Sequence, residues 1–197
     1  MSEPAPRGMT VDEFLRWEDG TDMRYELVGG FVVAMAPPSP GHSRLAGRLG
    51  GAIEEVLRGR PPCGTHSEAG IARSDRNDAC YVADIAVTCE PLRREDRLIR
   101  EPILIVEILS PSTTAFDRHT KVPDYRRIPS VQEILLLDSD SVFAEVLRRE
   151  GDHWITEIVQ GSAATLSLSS VPLTIAMADL YEGIPLPEPR PSQAVGR

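Results

Sequence analysis

The run Ile103-Leu104-Ile105-Val106-Glu107-Ile108-Leu109, closed by Ser110-Pro111-Ser112, is apolar on both parities apart from one acid. A strand covered on both faces has that pattern. Tyr81 to Thr88 shows it again with a single acid, Asp84, and Ile134-Leu135-Leu136-Leu137 before Asp138 shows it a third time. After the run containing Glu107, Ser112 can cap a helix from Thr113 into the Lys121 region. Pro123 lacks an amide donor and restricts Val122, so a kink or break is expected there. Strand, helix and strand in this order predict a right-handed parallel crossover.

Upstream, Thr10 followed by Glu13 is a capping box and predicts a short helix to about Trp17. Arg24 to Val28 and Phe31 to Met35 flank Gly29-Gly30, a hairpin signal. Leu45, Leu49, Ile53, Val56 and Leu57 recur at helical spacing, which predicts a long helix from His42 to Arg58. Thr65 to Ala72 can hold a short strand. Downstream, Val142 to Leu147 and Trp154 to Val159 flank Glu150-Gly151-Asp152 as a second hairpin, and Val171 to Leu180 can end in a short helix. The expected fold is α/β: a mixed sheet, a long helix on one side, a crossover helix on the other and a peripheral β-hairpin. One domain is expected over residues 1–183, with a Pro-rich, disordered tail over 184–197.

At 197 residues, with 41% hydrophobic and 26% charged side chains, the composition is that of an ordinary globular domain. It excludes collagen-like, mucin-like and wholly disordered chains. No apolar run approaches the roughly 18–20 residues that span a bilayer, and the polar, proline-rich start does not read as a secretory signal. No membrane role is expected. Cys63, Cys80 and Cys89 form an odd set without CxxC spacing, so neither a disulfide framework nor a zinc ribbon is expected, and a cytoplasmic location fits. The formal charge of −9 repels nucleic acid at long range, so binding to it requires a local basic surface. Arg93, Arg94, Arg97 and Arg100 form one candidate. Arg118, His119, Lys121, Arg126 and Arg127 form another, and Arg44 and Arg48 lie one helical turn apart. Salt-bridged solvated surface is the competing reading, because acids are interspersed.

An ionised carboxylate within an apolar strand is costly unless it is paired, hydrogen-bonded or metal-bound, and Asp84 and Glu107 stand on what read as neighbouring strands. Cross-strand neighbours about 5 Å apart can share one hard cation. Magnesium or manganese suits oxygen ligands, and no Cys/His set offers softer ones. The alternative is that each acid sits at a strand end, solvated or accepting amides. Lys121 is the single lysine beside twenty arginines, fourteen positions after Glu107. An ammonium can exchange a proton when buried, whereas guanidinium stays charged. A plain helical pair with Asp117, worth about 0.2–0.5 kcal/mol, explains it equally well.

Two acids followed by a lysine, on strand, strand and crossover helix, make the chain similar to the Uma-type restriction-endonuclease family within the PD-(D/E)XK nuclease superfamily. The similarity rests on Arg24-Tyr25-Glu26-Leu27-Val28-Gly29-Gly30, on Pro37 to His42 and on Ala83-Asp84-Ile85-Ala86-Val87. It continues in Val106-Glu107-Ile108-Leu109-Ser110-Pro111-Ser112-Thr113 and Asp117-Arg118-His119-Thr120-Lys121. The resemblance implies metal-binding roles for Asp84 and Glu107, and a catalytic lysine at Lys121, since Leu109 stands where the superfamily writes its own. It implies a supporting catalytic role for Glu26 and draws attention to His42, where helix capping competes. Ala83 in place of a proline and Gly30 in place of an acid depart from the pattern; the second is expected to thin the metal site. The activity implied is Mg²⁺- or Mn²⁺-dependent hydrolysis of phosphodiesters in DNA, with Lys121 orienting or deprotonating water or neutralising the developing charge, the arginine clusters holding the backbone, and a homodimer reaching both strands. The alternatives are a non-catalytic binding or regulatory module on the same fold, and a different hydrolase or interaction domain whose acids are structural.

Overall fold

The computed structural model describes residues 8–187. Its centre is a six-stranded sheet in the order β3 (Gly64–Ile71), β4 (Tyr81–Thr88), β5 (Pro102–Leu109), β6 (Glu133–Asp138), β7 (Phe143–Glu150), β8 (His153–Gln160). Only β5 and β6 run parallel, with Leu104 opposite Glu133 and Leu109 opposite Asp138, as the crossover predicts. The second expected hairpin forms the last two strands, at the periphery of this sheet.

Alternation along β5 splits the core in two. Leu104, Val106 and Ile108 meet Leu45, Leu49, Ile53 and Leu57, the apolar stripe of α2 (Pro40–Leu57). Ile105 and Leu109 face the other way, toward Val122 and Tyr125 on the crossover. Ser39 caps α2, its Oγ accepting the His42 amide, and Pro40 fills the first turn, where its missing N–H costs nothing. The Thr10–Glu13 capping box forms as read, around a single turn, α1 (Val11–Phe14), which stops short of the expected Trp17.

The crossover does not break at Pro123. It runs as α3 (Thr114–Phe116), a π-helical turn (Asp117–Lys121) and α4 (Val122–Tyr125), with the Val122 amide reaching five residues back to the Asp117 carbonyl. A widened turn of this kind absorbs an extra residue without losing the helix. β1 (Tyr25–Val28) and β2 (Phe31–Ala34) pair about Gly29 and Gly30, both at positive φ. A Cβ on Gly30 would stand 2.8 Å from the Gly8 Cα, so the turn itself excludes an acid there. β9 (Thr165–Ser167), β10 (Thr174–Ala176) and α5 (Met177–Leu180) close the α2 side.

Two expectations are corrected. Cys63 and Cys89 form a disulfide. The β3–β4 register sets Gly64 opposite Thr88, and one further step brings the two cysteines face to face, a pairing that sequence spacing conceals. The cytoplasmic reading thereby loses its cysteine support. Packing also continues past residue 183, because Ile184 is buried in the core and donates its amide to the Tyr181 carbonyl at 3.1 Å. Most of the predicted tail, residues 188–197, lies outside the described residues. No helix among the described residues is long and apolar enough to cross a membrane.

Candidate active site

β4 and β5 are paired from Thr88 and Pro102 as far as Ile85 and Val106, and there they part. β4 runs back to Tyr81 on β3, while β5 continues to Leu109 on β6. Asp84 and Glu107 are the first residues beyond the fork. A fork frees main-chain donors and acceptors, which need other partners when buried. Side chains supply them here. Asp84 Oδ2 accepts the Ile108 N–H at 2.6 Å, Glu26 Oε1 accepts the Val82 N–H at 2.8 Å, and Lys121 Nζ donates to the Val82 carbonyl at 3.1 Å. β1 delivers Glu26, since Leu27 and Cys80 exchange main-chain bonds just ahead of β4.

Distortion in β4 helps aim Asp84. Tyr81, Ala83 and Ala86 face the crossover, whereas Ile85 and Val87 face α2, so alternation slips between Ala83 and Ile85. Opposite Asp84 in β3, Glu68 adopts φ 52° and drops out of the paired register. Asp84 is thus left half-buried, with His42 Nε2 3.2 Å from its Oδ2. The cap bond of α2 holds the His42 backbone, so histidine and cap both serve the site. Its Nδ1 is buried without a hydrogen-bond partner among the described residues.

The Lys121 ammonium is the hub. Its Nζ stands 2.9 Å from Glu26 Oε1, 3.3 Å from Glu107 Oε1 and 3.4 Å from Asp117 Oδ1. All four residues are at most 5% exposed. The Tyr125 hydroxyl donates to Glu107 Oε1 at 2.7 Å. One cation among this many carboxylates leaves the cluster short of positive charge. Burial pushes Glu107 up to about 8, with Asp84 and Asp117 adding to the rise and Lys121 and Tyr125 opposing it. Burial likewise raises Asp117 against the pull of Lys121. Burial alone would lower Lys121, but Glu107, Glu26 and Asp117 together hold it above its ordinary value.

The residues read from sequence, Glu26, Asp84, Glu107 and Lys121, therefore come together at the fork. Of the roles expected of Lys121, neutralising charge suits these surroundings better than exchanging a proton, because its carboxylate neighbours favour the protonated amine. Asp117 and Tyr125 were not singled out. Tyr125 is four residues beyond Lys121, the spacing that could have revealed it, while Asp117 reads as an ordinary helical pair.

The arginine clusters are largely committed internally. Arg118 binds Glu145 at 2.6 Å, Arg100 binds Asp96 at 3.1 Å, and Arg97 donates to the Leu15 carbonyl. Arg44 and Arg48 donate to the carbonyls of Gly183 and Asp179, both at 2.7 Å. Arg93, Arg94, Arg126 and Arg127 carry no side-chain ion pair among the described residues; Arg126 is partly buried against the Trp154 ring, which leaves the exposed Arg93, Arg94 and Arg127 as the candidates for phosphate contact.

The family model described as "Uma2: Putative restriction endonuclease" matches residues 11–178, from the capped first turn through the fork and the crossover to α5. The chain belongs to the Uma2 family. Relatives from Synechocystis sp. (strain ATCC 27184 / PCC 6803 / Kazusa) include "Uncharacterized protein slr1290", 32% identical over 193 residues that cover 93% of this chain and 96% of the relative. "Uncharacterized protein sll1609" is 27% identical over 165 residues, 82% of this chain and 93% of that one. The fold matches a crystal structure described as a putative nuclease belonging to DUF820 from Anabaena variabilis ATCC 29413. That match has a TM-score of 0.72, 21% identity, and coverage of 88% of this chain and 97% of the other.

Restriction-endonuclease-like families use divalent metals, and the Uma2 fork can be tested for one. Its donors are carboxylate oxygens with one imidazole, which suits a hard cation. Asp84 Oδ1 and Glu107 Oε2 accept no hydrogen bond among the described residues, so each acid keeps one uncommitted oxygen. Among those residues, no three imidazole, thiol or carboxylate groups gather as an all-protein cage. Magnesium is held differently, through one or two carboxylates plus waters and substrate phosphates, and the pair at the fork fits that habit.

Proposed function

We propose that this Uma2-family protein is a divalent-metal-dependent DNA endonuclease. The observation that carries the reading is the parting of β4 and β5 at two acids with the lone lysine between the strands and the crossover. Asp84 and Glu107 would hold the ion. A bound magnesium or manganese would polarise the phosphate and acidify a nearby water for in-line attack. The chain's own residues do the rest. Tyr125 fixes one oxygen of Glu107, and His42 with the Ile108 amide fixes one oxygen of Asp84, so each carboxylate presents its remaining oxygen in a set direction. Glu26 and Asp117 keep Lys121 charged and in place, where the ammonium offsets negative charge that grows on the phosphate in the transition state. Arg93, Arg94 and Arg127 would hold the DNA backbone. A cytoplasmic location belongs to this reading and rests on DNA as substrate.

A second reading, a non-catalytic module on the nuclease fold, draws on the saturation of Lys121 by three carboxylates and a carbonyl. Nicking of supercoiled plasmid separates the two. The nuclease reading expects nicking with magnesium or manganese, its loss with a chelator, and its loss in Asp84→Ala. Metal-dependent nicking that survives Asp84→Ala, or none under any divalent ion, refutes it.

A further inference from the structure

The two edges of the main sheet are unlike. The β3 edge is closed: the Ile99 amide donates to the Gly70 carbonyl at 2.9 Å, Glu54 accepts the Thr65 amide at 3.3 Å, and Glu68 breaks the line of the strand. The β8 edge is paired with β7 along its whole length without a bulge, and it carries no proline, glycine or lysine, which are among the devices that keep an edge solitary. Ile155 and Ile158 on it are 49% and 53% exposed.

The hairpin fixes which main-chain groups look outward. Gly151 and Asp152 form a two-residue loop with Gly151 at φ 58°, so the flanking pair Glu150–His153 is hydrogen-bonded to itself. Odd-numbered residues of β8 therefore bond to β7, and Trp154, Thr156, Ile158 and Gln160 present N–H and C=O to the outside. Among the described residues, none of these groups meets another strand.

We infer that β8 is the interface between two copies of this chain, joined antiparallel into one continuous sheet about a two-fold axis at Thr156. The strand is complementary to itself in that register. Two-fold symmetry keeps each residue on its own sheet face, so only registers pairing residues of like parity are open. With Thr156 on the axis, the outward residues pair as Trp154 with Ile158 of the partner subunit, Thr156 with the partner's Thr156, and Ile158 with the partner's Trp154. Each pair exchanges two main-chain hydrogen bonds. Aromatic against β-branched and threonine against threonine are favourable cross-strand neighbours, and both exposed isoleucines are covered. Glu157, already bound to its own Arg148, falls one diagonal step from His153 of the partner subunit, a charge-complementary neighbour when that imidazole is protonated. The neighbouring registers are worse. One sets Glu157 against the partner's Glu157, and the other sets Ile158 against the partner's Asp152. The candidate sites would lie about 34 Å apart across the joined sheet, counting strand spacings of about 4.8 Å. Neither copy lends a residue to the other's site, so the interface stands or falls independently of the nuclease reading.

Sedimentation equilibrium of the full chain, from low micromolar to several hundred micromolar, tests the inference beside three variants. Thr156→Pro removes an outward N–H without touching the bonds to β7, Ile158→Lys places a charge at the seam, and Leu92→Lys alters an exposed apolar residue away from it. The expected result is a monomer–dimer equilibrium in the wild type, weakened at least about tenfold by each β8 variant and unchanged by Leu92→Lys. Circular dichroism melts confirm folding, and Ile158→Lys, at an exposed position, carries the test if Thr156→Pro does not fold. A wild type that stays monomeric throughout, a dimer indifferent to the β8 variants, or equal weakening by Leu92→Lys overturns the interface.

Discussion

Replacing Glu107 by glutamine asks whether the buried acids around Lys121 carry a charge imbalance. In the wild type, the folded-state value of about 8 lies above the ordinary 4.5 of the unfolded chain, so the native protein binds the extra proton. Folding stability from this group is then full below the unfolded value and is lost as pH rises toward the folded one. At 1.36 kcal/mol per unit, the ceiling on that loss is about 5 kcal/mol between acidic and mildly alkaline pH. Glu107→Gln keeps an oxygen to accept the Tyr125 hydroxyl but cannot ionise. It should gain on the wild type by several kcal/mol as pH rises from about 5 to 8. Urea unfolding in the presence of a chelator, at pH values spanning that window, measures the difference. Saturating manganese should flatten the wild-type curve, because a cation at the fork replaces the proton. A stability difference independent of pH in the chelated protein would refute the electrostatic account of the cluster.

Lys121→Met removes the cation that, among the described residues, forms the ion pairs of three buried carboxylates, and the donor to the Val82 carbonyl. Breaking a buried pair in this way costs about 3–5 kcal/mol, to be read as a lowered urea midpoint, with cleavage lost as well. Lys121→Arg preserves the charge but must fit a larger, forked group where an amine meets four oxygens, so it should lose cleavage at a smaller stability cost of about 1–3 kcal/mol. Full nicking by that variant would show that charge alone suffices. Reducing Cys63–Cys89 should cost about 3.5 kcal/mol by the loop-entropy relation for its 26-residue separation. An unchanged urea midpoint under reductant would show that the native hairpin holds those ends without it.

Some of the site was legible because burial makes exceptions conspicuous. Glu107 and Asp84 are single acids in runs that are otherwise apolar, and a lone lysine among arginines is visible by counting. Asp117 was hidden, because an acid four residues before a lysine is an ordinary surface pair on any helix, and only the fold buries it. Tyr125 reads as core until the strand carrying Glu107 is placed beneath it. The strands and the crossover were legible from apolar runs and caps. The fork was not, since it depends on where a ladder stops rather than on what either strand contains. Arginines are the clearest failure of one-dimensional reading: Arg44 and Arg48 look like a basic helical stripe, yet they spend their donors on carbonyls more than 130 residues away.

Calorimetric titration of manganese into the metal-free protein tests the central claim most directly. Saturable binding accompanied by proton release is predicted for the wild type, with binding lost in both Asp84→Asn and Glu107→Gln while their circular dichroism spectra stay native. No binding to the wild type, or binding that both variants keep, would contradict a cation site at the parting of the two strands.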